Sequence, residues 1–174
     1  GNSAFEDSVL RRQSVFDGNV WMHLLFGRNK FSQQKLVLDL ESWRNFYLDR
    51  GFLEFEIVSN DVSIDSNKND VFLTVVLSEG VPYRVGRIAV DGTEVVAAGI
   101  MRDLLEIREG MLFARRAVTD SRVAIEKTLA NAGYAFANVN PILDPDRDSK
   151  IVNIAFVIDP GPKVYVRRIN IAGN

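Results

Sequence analysis

The chain has 174 residues, 47% of them apolar and 25% charged, which are the proportions of a folded water-soluble chain and not of a disordered one. Its 21 basic and 23 acidic residues leave a net charge of −2, so no overall field draws it to nucleic acid or to an anionic membrane surface. The absence of cysteine excludes disulfides and thiolate metal sites, and no apolar run reaches the roughly 18 to 20 residues needed to span a bilayer.

From the N-terminus, Ser3 with Glu6 three residues on predicts a capping-box start to a short helix that turns Phe5, Val9 and Leu10 inward. A second helix is expected from about Gln34 to Asp49, where Leu36, Leu40, Trp43 and Tyr47 form one apolar stripe. Gly51 stops it, because a glycine just past the last turn accepts the left-handed backbone that closes the final carbonyls. A strand from about Phe52 to Ile64, a polar turn at Asp65 to Asp70 and a strand from Val71 to Ser78 complete the unit. The turn signal Glu79-Gly80-Val81-Pro82 then leads straight into a strand from Tyr83 to Val90, so two units are expected to be joined with little flexible linker.

The same order returns downstream. Trp43 to Phe52 aligns with Ile125 to Tyr134 at an offset of 82 residues, matching a helix end, a glycine and an aromatic. At an offset of 81, Val71, Leu73, Val75, Leu77 and Gly80 fall on Val152, Ile154, Phe156, Ile158 and Gly161. Arg87 to Gly92 then matches Arg168 to Gly173 at that offset. In the second copy the strands are expected at Tyr134 to Leu143 and Lys150 to Asp159, around a turn at Asp144 to Ser149. The domains are therefore set at 1–80, with its opening strand missing, and 81–161. Residues 162–174 read as the opening strand of a following unit. One expected consequence is that Val166 to Ala172 of one molecule docks into the first unit of another.

A βααββ unit of this length, with a glycine after its first strand and the helix exit Leu48-Asp49-Arg50-Gly51-Phe52, resembles the POTRA (polypeptide-transport-associated) family of outer-membrane β-barrel assembly and transport proteins. Lys35 to Glu41, Tyr47 to Phe52 and Tyr165 to Asn174 carry a closer similarity to the third and fourth POTRA domains of an assembly factor that has five. The longer first connection agrees with this, since Gly1 to Phe31 spans about nine residues more than Gly92 to Phe113. The resemblance implies an α+β fold of two tandem βααββ domains, each a three-stranded mixed sheet covered on one face by two helices. It also implies the periplasmic portion of a bacterial outer-membrane protein, not itself embedded in the membrane. The implied partners are unfolded outer-membrane β-barrel proteins, accessory lipoproteins of the assembly machinery and adjacent POTRA domains. A POTRA pair of a two-partner secretion transporter is the alternative within the family.

No catalytic, cofactor or metal site is expected. His23, the single histidine, stands in the apolar run Val20 to Phe26 with no partner marked for acid-base work. Asp144 to Asp148 imitates the start of a calcium loop but has Ser149 where glycine is required and Ala155 where a glutamate should stand, so it reads as a hairpin turn. The RNA-binding KH module is the structural competitor, yet neither copy has its GXXG loop, so no nucleic-acid partner is expected. The expected binding element is the edge strand of the first domain: Phe55, Glu56, Ile57, Val58, Ser59, Asn60, Asp61, Val62, Ser63 and Ile64. Its apolar residues change from odd to even positions between Ile57 and Val62, which predicts a β-bulge near Ser59 to Asp61. In the second domain Pro141 should blunt the matching edge. Trp21, Met22, Leu24, Leu25 and Phe26 form a second candidate interaction surface.

Overall fold

A computed structural model describes residues 4–12, 33–64, 71–92 and 95–165. The chain divides into two compact units, Gly1–Tyr83 and Arg84–Asn174. Trp21 to Phe26 with His23, the turn at Asp65 to Asp70, and Val166 to Ala172 lie outside the described residues.

In the first unit, α1 (Asp7–Arg12) and α2 (Gln33–Leu48) precede an antiparallel pair, β1 (Glu56–Ile64) and β2 (Val71–Ser78). The first helix starts later than the Ser3 capping box predicts, because the Glu6 carbonyl accepts its first bonds, from the Val9 and Leu10 amides. On α2 the buried stripe is Leu36, Asp39, Phe46 and Tyr47, while Leu40 and Trp43 are half-buried. Trp43 instead uses its indole N–H, which donates to the Leu10 carbonyl at 3.0 Å and ties α2 to the end of α1. Gly51, at φ +93°, closes α2 as expected.

The strand does not begin at Phe52. Leu53 donates to the Gly51 carbonyl and Phe55 to that of Phe52, which makes a turn, and this turn drops Phe52 and Phe55 into the core beside Tyr47. Edge-to-face contacts join Phe5 to Phe46, Tyr47 and Phe52, and the Phe55 ring stacks on Tyr47 at 4.2 Å between centroids. Burial of these rings outweighs the β propensity that the sequence suggests for the segment.

The second unit contains β3 (Arg84–Asp91), α3 (Ala98–Asp103), α4 (Arg115–Asn131), β4 (Asn138–Asp146) and β5 (Ile151–Asp159). Its sheet has the order β3-β5-β4, with β5 parallel to β3 and antiparallel to β4, so the strand after the second helix is an edge and the next is central. Val152, Ile154, Phe156 and Ile158 alternate into the core against Val118, Ile125 and Leu129 of α4. Ser121, fully buried, donates to the Ala117 carbonyl at 2.6 Å and accepts the Glu106 amide at 2.9 Å, fixing the α3–α4 connection.

Two expected strand bounds shift here. Tyr134 to Ala137 forms a turn after Gly133, with Ala137 donating to the Tyr134 carbonyl, so β4 starts at Asn138. At its other end β4 runs on to Asp146, because the Asp146 carboxylate itself closes the hairpin. Its Oδ1 accepts the Asp148 and Ser149 amides at 2.9 and 3.3 Å, and its Oδ2 accepts the Ser149 hydroxyl at 2.7 Å. These donors hold the Asp146 carboxyl below its usual range, the Ser149 hydroxyl contributing most.

Candidate strand-addition edge

Among the described residues β1 pairs with β2 alone, so its outer side presents backbone N–H and C=O groups to solvent. Glu56 to Ile64 form this strand, as the sequence suggests; Phe55 does not belong to the edge, being 5% exposed and part of the aromatic core. The bulge lies just upstream of its expected place. The register passes from Ile57 opposite Leu77 to Ser59 opposite Val76, leaving Val58 as the extra residue. Ile57 and Val62 are five positions apart in the chain, while their partners Leu77 and Leu73 are four apart. The bulge thereby restores both to the same half-buried face. Val58 itself stands 60% exposed, an apolar side chain in a strand whose Glu56, Ser59, Asn60, Asp61 and Ser63 also face water.

The matching edge of the second unit is β4. Pro141 lies opposite Phe156, and a second proline, Pro145, lies opposite Val152. Four residues apart, they share one side of the backbone. The β4–β5 register runs without a shift from Asn138 and Asp159 to Asp146 and Ile151, so both nitrogens, which carry no hydrogen, are turned to the free edge. That edge therefore lacks two of its donors. Pro145 was legible as a second blunting residue from its even spacing to Pro141, but it falls within the segment whose aspartates mark a turn.

Glu79 is a residue that strand patterns alone do not single out. Its side chain is buried just past the end of β2, where Oε1 accepts the Tyr47 hydroxyl at 2.6 Å and Oε2 accepts the Ala4 amide at 3.0 Å. Burial, reinforced by this hydrogen bond and the carboxylate charge, pushes the Tyr47 hydroxyl well above the usual tyrosine range. The carboxylate thus joins the start of the unit, the last turn of α2 and the end of β2. These contacts are structural ones, made within the first unit. Among the described residues no group of three or more His, Cys, Asp or Glu could hold a metal ion, and no helix is long and apolar enough to cross a membrane.

Comparison with known proteins adds to this geometry. The family model POTRA, described as surface antigen variable number repeat, matches residues 1–80 and again residues 83–161. The outer membrane protein assembly factor BamA of Neisseria meningitidis is 30% identical over the whole of this chain, and BamA of Buchnera aphidicola is 29% identical over the whole of it. The chain spans only 22% and 28% of those two proteins. The crystal structure of Haemophilus influenzae BamA POTRA3-5 superposes on all of this chain and 68% of its own, with a TM-score of 0.78 and 27% identity.

Proposed function

The chain belongs to the POTRA family, and we propose that it is a pair of periplasmic docking modules in a BamA-type factor that assembles β-barrels into the outer membrane. It acts as a scaffold and not as an enzyme. Its ligands are unfolded outer-membrane β-barrel proteins and accessory lipoproteins of the Bam complex, with neighbouring POTRA domains as its partners along the chain. The observation that carries this reading is the open, proline-free β1 edge with an exposed valine at its bulge.

The mechanism is strand addition. An extended peptide laid beside β1 bonds to backbone groups that repeat every second residue, so its affinity depends little on its own side chains. A receptor for many different β-barrel precursors needs that tolerance. Val58 adds a small apolar contact where the bulge leaves a side chain without a cross-strand partner. The two prolines of β4 make the second unit the poorer acceptor, so the first unit is the principal docking site.

The test is to place proline at Val58 or Val62 and a photoreactive residue within Glu56 to Ile64 in the full-length protein. Loss of crosslinks to client and lipoprotein is expected while the far-UV circular dichroism stays unchanged. Undiminished crosslinking by both folded variants would rule out strand addition at this edge.

A further inference from the structure

The outer edge of β3 is built differently from that of β1. Over its first half a neighbouring segment covers it: Val85 donates to the Met111 carbonyl and Gly110 donates to that of Val85, both at 2.8 Å. The register then skips from Val85 to Ile88, and the Arg87 amide turns inward to the Asn153 Oδ1 at 2.9 Å. This bulge requires Gly86, where a Cβ would come within 2.5 Å of both Asn153 Oδ1 and Ile151 Cγ2. Bulges re-aim the side chains beside them, and this one sets Arg87 on the rim of a cleft of about 300 Å³.

The cleft lies between β3 and the connection that follows α3. Its floor is apolar, from Ile88, Leu105 and Ile107. Its rim carries three arginines, Arg87, Arg102 and Arg108, and none of their guanidinium groups has an ion-pair partner among the described residues. The one carboxylate that lines it, Glu109, accepts the Ile88 amide at 3.1 Å and so is held on the strand edge. Three positive charges are therefore set against one negative charge around an apolar floor.

We propose that this cleft recognises an extended acidic peptide segment, its carboxylates seated on Arg87, Arg102 and Arg108. Guanidinium forks match carboxylates in pairs of parallel hydrogen bonds, and the apolar floor takes the aliphatic side chains between them. The strand edge favours a peptide over a free anion. Beyond Ile88 the alternation of the strand turns the Val90 amide to the same outer side, where it offers a backbone anchor to an extended chain. The site is in the second unit and on the opposite side of the sheet from β4, so it does not depend on docking at β1.

The experiment uses the whole 174-residue chain and two fluorescein-labelled peptides, one of alternating valine and glutamate and one with glutamine for glutamate, read by fluorescence anisotropy. The glutamate peptide is expected to bind at least about fivefold more tightly, and added salt should remove most of the difference. R102Q/R108Q should weaken it by about fivefold or more and leave the glutamine peptide unchanged. K127Q, a change on the exposed face of α4 away from the cleft, should have no effect. Equal affinity for the two peptides, no measurable binding of the glutamate peptide, or indifference to R102Q/R108Q would overturn the proposal. So would arginine-dependent binding of phosphatidylglycerol vesicles by a chain that ignores the glutamate peptide.

Discussion

Gly51 and Gly133 stand at φ +93° and +96°, and the carbonyl of each accepts an amide from the segment leaving its unit: Tyr83 at 2.9 Å and Val164 at 2.8 Å. Around this shared backbone the side chains diverge. Tyr47 of α2 and Leu129 of α4 occupy the same place in the repeat, and both are fully buried. Choosing tyrosine obliges the first unit to supply an acceptor, which is Glu79. The second unit has Pro160 at the corresponding position and an aliphatic core around Leu129, and its buried hydroxyl, Ser121, serves the α3–α4 connection. The difference teaches that backbone devices hold the repeat constant while core chemistry varies, and that the buried hydroxyls of Tyr47 and Ser121 each come with an acceptor. The edges vary too, β1 carrying a bulge and no proline where β4 carries two prolines and no bulge.

The largest effect should come from giving the first unit the second unit's residue. Tyr47→Leu removes the ring stacked on Phe55 and takes the hydroxyl donor from the buried Glu79 carboxylate, which together should cost about 3 to 5 kcal/mol. Both tryptophans lie in the first unit, so their fluorescence in a urea titration follows that unit alone. A loss below about 1 kcal/mol would mean that the tyrosine–glutamate pair contributes little to the fold. Gly51→Ala and Gly133→Ala probe what the units share. Each forces a left-handed alanine, costing about 1 to 2 kcal/mol, and the new Cβ at residue 133 would meet only the movable side chain of Lys163, 3.0 Å away. Similar losses in the two variants are expected from calorimetry, and a gap above about 1 kcal/mol would show that the two exits are not equivalent.

The repeat, the helix exits, the edge position of the strand after each second helix and the bulge in β1 were legible because each rests on a short-range rule. Glycine at a helix end, alternation along a strand and an odd gap between two inward residues are visible without tertiary context. The strand starts were not, because Phe52 and Phe55 satisfy β propensity and leave it only when the packed Tyr47 ring recruits them to the core. Asp146 misled in the other direction. An aspartate cluster reads as loop, yet this strand continues to the residue whose carboxylate caps its own turn. Buried Asp39 and Glu79 gave no sequence signal, since polar residues are expected at the surface. The arginine cleft was equally hidden, because Arg87 is separated in sequence from Arg102 and Arg108 and is brought to them by a bulge.

Alkaline titration should also separate the units. The folded state holds the Tyr47 hydroxyl neutral well above the ordinary tyrosine value of about 10, whereas in the unfolded chain it ionises near that value. Above that pH the unfolded state is favoured by proton loss that the folded state resists. The contribution is therefore complete below the ordinary tyrosine value and is lost as the pH rises from there toward the raised folded value. Fluorescence-detected urea midpoints of the first unit should fall over this window, and Tyr47→Phe should flatten the fall even though it lowers the stability at neutral pH. The same alkaline slope in Tyr47→Phe as in the parent chain would assign the effect to another group.

The smallest effect concerns the edges. If Pro141 and Pro145 alone make β4 a poorer acceptor than β1, replacing both with threonine restores two outward amides to a strand whose pairing with β5 is already complete. Threonine suits a half-exposed strand, so the stability of the second unit should change by less than about 1 kcal/mol. A hydrogen bond contributes about 0.5 to 1.5 kcal/mol net, and the addition of a strand orders the incoming chain, so P141T/P145T should raise affinity for an extended client segment at β4 by about tenfold at most. Crosslinking from a photoreactive residue at Ile142, which is 49% exposed between the two positions, would register the gain. Comparable crosslinking at β4 before and after the change would mean that the prolines do not set the contrast. The bulge at Val58, which β4 lacks, would then be the feature that marks the β1 edge for docking.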